Sequence, residues 1–417
     1  MKTTYLRIVL TLLGIAAIAF LARDIYQSLP SERVRILTGP EGGSFYKTAL
    51  DYKQLLERRG FKVEIEPVAN TAELTQLVNG STERNTLSFM IGSTDHARFS
   101  QVRTLSIIGT QPLFLFYQNS LGKLVSLSSL KGSKIVLPPK TSLSAHYALA
   151  VLDLYGINPG NTPIDFIPFA EMVQKLKRAE YFAGFVMLSA DSPAVEDLAR
   201  DDKLSLYSYH HIRGLLAKIK DLDAVVLPLG GFDVLQNIPH QPTDLLAGRV
   251  EVIANKSIDK SLLYALLESF ENLHYPQTLV SKPGEFPIFA GANGVMHESI
   301  QNFQKTGTPW LYRNFPPTIA VLIDKYLFIG LAIFLLAEIY RNLRYLYELM
   351  ALTAETIALR IMARTNSRLQ AGKSLGFFAQ FAKRWAIATI ERQSIRQKAA
   401  ALIAPKDKKV RLYHDVL

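Results

Sequence analysis

Charge in this chain sits at its two ends, and each charged end lies outside an apolar run. The 417 residues carry a formal net charge of +11. Segment 338–417 holds 15 Lys or Arg against 6 Asp or Glu, a net of +9. Residues 1–30 add +2 through Lys2, Arg7 and Arg23 against Asp24, which leaves everything between neutral. Apolar runs at 8–22 and 319–337 bracket that neutral middle. Basic flanks stay on the cytoplasmic side of a bilayer, so the pattern places both termini inside and the middle outside. The middle offers no basic face for nucleic acid, so no nucleic-acid partner is expected.

The first run, Ile8 to Ala22, follows Arg7 and reads as a signal peptide or an uncleaved signal anchor within residues 1–30. Small residues at Ala17, Ala19 and Ala22 keep cleavage open. The second run is interrupted by Asp324 and Lys325 before the apolar Tyr326–Ala337. A charge in hydrocarbon costs about 2.5–3.5 kcal/mol on the insertion scale, but a pair near the outer end sits at headgroup level. A transmembrane helix is therefore expected at 317–340, with the lipid bilayer as its partner and a basic helical cytoplasmic tail at 341–417. The Pro316–Pro317 break before it and the basic tail after it argue against a buried core helix. In the tail, Phe377, Phe378, Phe381, Trp385 and Ile387 stand beside Lys383 and Arg384. That suits a helix on the inner leaflet or against a partner, or a helical hairpin that only anchors.

The middle, 31–316, is long enough for two lobes. Residues 33–38 read as a strand running into the glycine turn GPEGG, then a helix from Ser44 to Arg59, closed by Gly60. Strands at 61–67 and 86–92 flank a helix near 71–79, and 103–118 is extended and apolar. The alternation restarts at 131, with strands at 134–137, 164–168 and 181–188 and helices at 142–155 and 169–179. Further strands are expected at 204–209 and 224–229, and a helix from Ser257 to Asn272, capped by Ser257. Strand–helix–strand alternation indicates parallel α/β units covered on both faces. Lobe 1 is expected over about 31–118 plus 224–310 and lobe 2 over about 119–223, with a cleft between them for a small ligand.

Several motifs in this stretch resemble the TAXI family, the solute-binding subunits of tripartite ATP-independent periplasmic (TRAP) transporters. They are GPEGGSFYKTALDYKQLL at 39–56, NTAELTQLVNG at 70–80, IGSTD at 91–95 and VSLSSLKGSKIVLPPKTSLSAHYALAVLDLYGI at 125–157. AGFVMLSADSPAVEDLA at 183–199, VLPLGGF and LLYALLESF near 226–232 and 262–270, and PPTIAVLIDKYLF at 316–328 continue it. Each motif is short; their shared order is the stronger signal. The resemblance implies a type II periplasmic binding protein fold, α/β, in which two lobes close on a small anionic or zwitterionic carboxylate. It also implies delivery to integral membrane permease subunits.

Gly39, Gly42 and Gly43 let the chain turn tightly and bring backbone N–H groups to a helix start, where a carboxylate is attracted. Glycine turns are common, so a purely structural turn remains the alternative. Ser44 caps that helix or binds the ligand, and Tyr46 or Phe45 walls the cleft. In lobe 2, Pro138–Ser144 stands where the family is usually glycine-rich; Thr141, Ser142 and Ser144 keep the hydroxyls and Lys140 adds charge. The prolines and Leu143 depart from the family pattern and reshape the pocket. Thr94 and Asp95 end a strand toward the cleft, with Asp95 receiving a ligand ammonium or capping a turn. Asn70 is first a helix starter, and Ser189 and Asp191 occupy the matching strand end of lobe 2, Asp191 chiefly as a cap.

No catalytic residue, cofactor or metal is expected. The chain has no cysteine, His96, His146, His210 and His211 form no ligand-spaced set, and Ser44 is in no G-x-S-x-G elbow. The sequence thus predicts a non-enzymatic, membrane-tethered binding component of a TRAP-type transporter, located at a bacterial inner membrane with its main domain periplasmic. The alternative is a membrane-anchored sensor or scaffold whose repurposed binding domain signals through the tail.

Overall fold

A computed structural model describes residues 12, 15–16, 19–289, 298–371, 374 and 376–403. Part of the run 8–22, residues 290–297 of the expected lobe 1 and the last 14 residues of the tail lie outside the described residues. Two compact units emerge, 1–325 and 326–417.

The first unit begins with β1 (Arg33–Thr38), which pairs in parallel with β2 (Lys62–Pro67) and β3 (Thr86–Ile91). Between them run α1 (Ser44–Glu57) and α2 (Leu74–Gly80). Helix α1 buries Phe45, Ala49, Tyr52 and Leu56, a single stripe at helical spacing. That stripe lies on β3, where Phe45 and Tyr52 stack on Phe89 with ring centroids 5.2 and 6.0 Å apart. The second lobe repeats the scheme with β5 (Ile135–Leu137) parallel to both β6 (Ile164–Phe166) and β7 (Ala183–Met187). Its helices are α3 (Leu143–Leu154), α4 (Phe169–Lys177) and α5 (Pro193–Ala199).

Two long strands join the lobes. β4 (Val102–Gln118) pairs with β10 (Thr243–Asn255) along 102–113 and with β7 along 113–117. β10 pairs with β3 through 250–254. The sheet order is β2-β1-β3-β10-β4-β7-β5-β6, with β8 (Leu204–Leu206) added to β4 and β9 (Leu222–Leu227) to β10. A short helix, α6 (Ile212–Lys218), precedes β9. The two-lobed α/β arrangement expected from the alternation is thus present. Strand β10 has no counterpart in the sequence reading.

Helix α7 (Lys260–His274) starts later than expected, with Asp259 rather than Ser257 at the cap position. The Ser257 hydroxyl is held by Asn255 Oδ1 at 2.7 Å. The Asp259 carboxylate accepts from Ser31 N at 2.8 Å and from Asn85 Nδ2 at 3.0 Å, which ties the entry of β1 to the end of β10. Helices α8 (Glu298–Thr306) and α9 (Trp310–Asn314) follow.

Helix α10 (Pro317–Gln370) has 54 residues, and among the described residues it is the one helix long and apolar enough to cross a membrane. Only 6% of its most apolar window is buried within the chain. At 1.5 Å per residue it measures about 80 Å, far more than the ~30 Å of hydrocarbon. The helix continues through residue 340, the expected end of the apolar segment, without a break. The charges in the apolar run have partners: Asp324 accepts from Tyr312 Oη at 2.9 Å, and Lys325 Nζ bonds Asp24 Oδ1 at 2.9 Å on the helical stretch 19–28. In the second unit, Ala358 and Thr365 of α10 and Ala386 of α11 (Phe377–Ile403) are buried, while Phe377, Phe378, Phe381 and Trp385 are exposed.

Gly248 of β10 lies where the lobes meet. A Cβ there would collide with Ile91 Cγ2 of lobe 1 and press on Met187 Cε of lobe 2 at 3.3 Å. Gly248→Ala is therefore expected to destabilise the domain by roughly 1–3 kcal/mol, as overpacking does, read as a lower urea midpoint at unchanged slope.

Candidate functional site

A cavity of about 110 Å³ opens beside the strands that join the lobes. Lobe 1 contributes Ser44, Phe45 and Thr48 from α1, and lobe 2 contributes Ser189 and Asp191 from the loop after β7. Its floor is Ile108–Gln111 of β4 with Val250 of β10, and its far wall is Leu273, His274 and the segment from Thr278 to Phe286. The β4 stretch departs from its apolar surroundings at Gly109–Thr110–Gln111. Thr110 Oγ1 is buried without a partner among the described residues, and Gln111 is 6% exposed. Buried polar groups of this kind are normally satisfied, by protein, water or ligand.

The lobes touch each other directly around this space. Ser189 N donates to Ser44 Oγ at 3.0 Å, and Leu279 N donates to Asp191 Oδ1 at 3.4 Å. Farther along the interface, Leu143 N donates to Thr71 Oγ1 at 3.1 Å and Ala72 N to Thr141 O at 3.4 Å. Thr141 Oγ1 reaches Ala69 O at 3.5 Å, and Tyr147 Oη donates to Ile91 O at 3.2 Å. The geometry is a closed cleft in which the lobes bond to one another.

The expected ligand residues separate into three groups. Ser44, Ser189 and Asp191 line the cavity. Thr141 joins the cross-lobe seam beside Asn70, whose Oδ1 is buried and unpartnered. Ser142 caps α3 by accepting from Ala145 N at 3.1 Å, and Ser144 Oγ exchanges bonds with Met187 O at 3.3 Å and Met187 N at 3.2 Å. Gly42, at φ +83°, and Gly43, whose N–H bonds Pro40 O at 3.1 Å, form the turn that launches α1. Tyr46 is half-buried outside the cavity lining, where Phe45 stands instead. Thr94 donates to Glu251 Oε2 at 2.8 Å, and Asp95 Oδ1 accepts from Ala97 N at 3.0 Å, both away from the cavity. The cap position of α5 belongs to Ser192, leaving Asp191 to receive Leu279.

The wall also contains Thr48, inside the 39–56 motif but not singled out there, and Thr110, Gln111 and His274, which lie in no motif. The polar interruption at 109–111 of an otherwise apolar strand was the one available signal. His274 is half-buried, and desolvation lowers its pKa from the usual 6.5 to about 4. Its Nε2 lies 2.8 Å from Tyr52 Oη, whose own ionisation burial pushes well up. Desolvation at the rim also raises the Asp191 carboxyl, with Lys47 acting in the opposite direction. Lys and Arg are absent from the lining, so Asp191 is its only full charge at neutral pH. Among the described residues, no group of three or more His, Cys, Asp or Glu is placed to hold a metal.

No protein-family model and no curated protein matches the sequence. Among solved structures, an ancestral arginine-binding protein bound to arginine is 14% identical, with a TM-score of 0.37 over 59% of this chain and 94% of that one. A substrate-binding protein of an amino acid ABC transporter from Streptococcus pneumoniae is 14% identical, with a TM-score of 0.36 over 58% and 88%. A histidine kinase sensor domain with similarity to periplasmic binding proteins is 12% identical, with a TM-score of 0.37 over 58% and 90%. The two-lobed fold rests on the strand order described above, and the ligand is left to the cavity's own chemistry.

The folded His274 binds a proton more weakly than its unfolded counterpart, so acid favours unfolding. Its contribution is intact above about pH 6.5 and falls toward pH 4, by up to about 3 kcal/mol. Urea unfolding at pH 7.5 and pH 4.5 measures this. His274→Gln, which keeps an acceptor for Tyr52, is expected to flatten the pH dependence relative to the parent.

Proposed function

We propose that this chain is a membrane-tethered solute-binding component whose two lobes close on a small amino-acid-like solute. The cavity carries the reading: its walls come from both lobes and its floor from the strands that join them. Lobe closure is the functional motion, because Ser44 and Ser189 must separate before a solute can enter from the cleft. Within this reading the neutral domain lies in the periplasm of a bacterium, and α10 holds it at the inner membrane with the basic tail in the cytoplasm. Tethering raises its effective concentration at a permease in the same membrane. The order of the motifs from GPEGGSFYK to PPTIAVLIDKYLF supports a permease of the TRAP type.

One observation favours a second reading, a sensor or scaffold. Helix α10 runs unbroken from the binding domain through the apolar segment to the tail, a geometry able to carry a change at Pro317 to Gln370. Both readings take the chain as non-catalytic.

The absence of cysteine makes a clean test available. Spin labels on cysteines introduced at exposed Glu73 and Lys140 report the lobe separation of the full chain in nanodiscs. The binding reading expects a broad or long distance without solute and a shortened one when amino acids or small amines are added. A single distance, unchanged by any solute in that panel, would refute binding by closure and leave the scaffold.

A further inference from the structure

We infer that α10 pairs over 336–357 with the same stretch of a second copy of this chain, as a parallel two-stranded coiled coil. The pairing is independent of the cavity and its solute, and it rests on the reading of α10 as the helix that crosses the membrane.

Leu336, Ile339, Leu343, Leu346, Met350, Thr353 and Ile357 recur at alternating intervals of three and four. That is the heptad of a left-handed coiled coil, with Leu336, Leu343, Met350 and Ile357 at a and Ile339, Leu346 and Thr353 at d. From Tyr326 to Ala337 any spacing would be met, because that run holds no charge. Beyond it the spacing discriminates. Glu338 falls at c, and Arg341, Glu348 and Glu355 fall at f, the positions turned away from a partner helix. Arg360 and Arg364 continue the spacing and end the apolar seam.

The seam is open in the single chain. Its six apolar side chains are each 51–66% exposed. Among the described residues of α10 from 326 on, the buried ones are Ala358 and Thr365, and both are b positions. The side of the helix that packs within the chain is therefore not the side that carries the seam.

Geometry and area select the occupant. Helix α10 is unbroken from Pro317 to Gln370. A helix that crosses a bilayer at the usual tilt carries residue 357 about 25 Å beyond residue 340, which takes the stripe away from the lipid rather than along it. A second copy is held in the same bilayer with the same orientation, so the two helices are parallel and in register before they touch. Its stripe is identical, and a then meets a and d meets d in an isologous pair. Tyr340 at e and Leu349 at g flank the seam and are also exposed. Covering them with the six seam side chains removes on the order of 700 Å² per copy, close to the ~800 Å² of one side of a standard interface.

The lack of native cysteine makes disulfide mapping of the full chain direct. Leu343→Cys, Leu346→Cys, Met350→Cys and Ile357→Cys each place one thiol on the seam. Leu352→Cys and Leu359→Cys, exposed at the outer c position, are the controls. Isolated membranes holding each variant are oxidised, and the covalent product is followed by non-reducing electrophoresis and mass. A disulfide needs Cα atoms about 4.4–6.8 Å apart, so the seam positions are expected to cross-link roughly tenfold faster than the controls. Adding Leu346→Lys and Met350→Lys to Leu343→Cys is expected to abolish its cross-link, while adding Leu352→Lys and Leu359→Lys leaves it. Equal cross-linking at seam and control positions, or none, in a chain that resists alkaline extraction overturns the pairing and leaves the tether standing. Adducts of a mass other than twice the chain give the seam to another protein and also overturn it. Release of the chain by alkaline extraction overturns the membrane reading itself, and the parallel register with it.

Discussion

The antiparallel pairing of β4 with β10 is the constraint on which the rest of the domain depends. Each lobe builds a small parallel sheet, and a parallel sheet needs helices on its faces and neighbours at its edges. β4 and β10 supply an edge to both lobes at once, through β3 on one side and β7 on the other. Their pairing is continuous from Val102 to Leu113 apart from two register shifts, at Val250/Glu251 and Val252/Ile253. Such irregularities bend and twist a ladder locally. The cavity floor lies at the first of them, with Val250 inside and Gly109–Gln111 opposite. The same strands therefore hold the lobes together and shape the space between them.

Glu251, one residue past Val250, shows how that bend is maintained. Its carboxylate is buried on the other face of the sheet, an arrangement tolerated only with full hydrogen bonding. Thr94 donates to Oε2 through its hydroxyl at 2.8 Å and its backbone N–H at 3.3 Å, and Thr104 Oγ1 donates at 3.1 Å. Thr94 follows β3 and Thr104 belongs to β4, so one carboxylate ties both neighbours of β10. This accounts for Thr94 in the IGSTD motif being spent on the scaffold rather than on the cavity. The residue ends its strand as the sequence indicates, yet its side chain points to the sheet's far face.

Much of the architecture was legible because its signals are local. Gly60 closes α1, and the strands of β1, β2, β3, β5 and β7 fall within a few residues of their expected bounds. β10 escaped because TDLLAGRVEVIAN mixes Asp244, Arg249 and Glu251 into an apolar stretch, and Gly248 stands at its centre. That glycine is explained only by the close approach of Ile91 and Met187, a fact of tertiary contact. The candidate site was half legible for the same reason. Ser44, Ser189 and Asp191 lie at strand-to-helix junctions that a sequence marks. Thr110, Gln111 and His274 sit within a strand and at a helix end, where nothing local separates a cavity wall from a core position.

The membrane end follows the same logic of paired charge. Asp324 and Lys325 interrupt an apolar run, and the structure gives each a polar partner in the first unit. Tyr312 donates to Asp324 at 2.9 Å, with Lys260 Nζ 3.6 Å away, so α7 and α9 hold the head of α10 from the domain side. Lys325 meets Asp24 at 2.8 Å and Ser28 at 2.5 Å, joining the stretch 19–28 to the same point. An exposed ion pair contributes only about 0.2–1 kcal/mol, so stability does not explain this arrangement. Position does. Contacts from α7, α9 and the stretch 19–28 thus converge on Asp324 and Lys325, just before the apolar Tyr326–Ala337 begins.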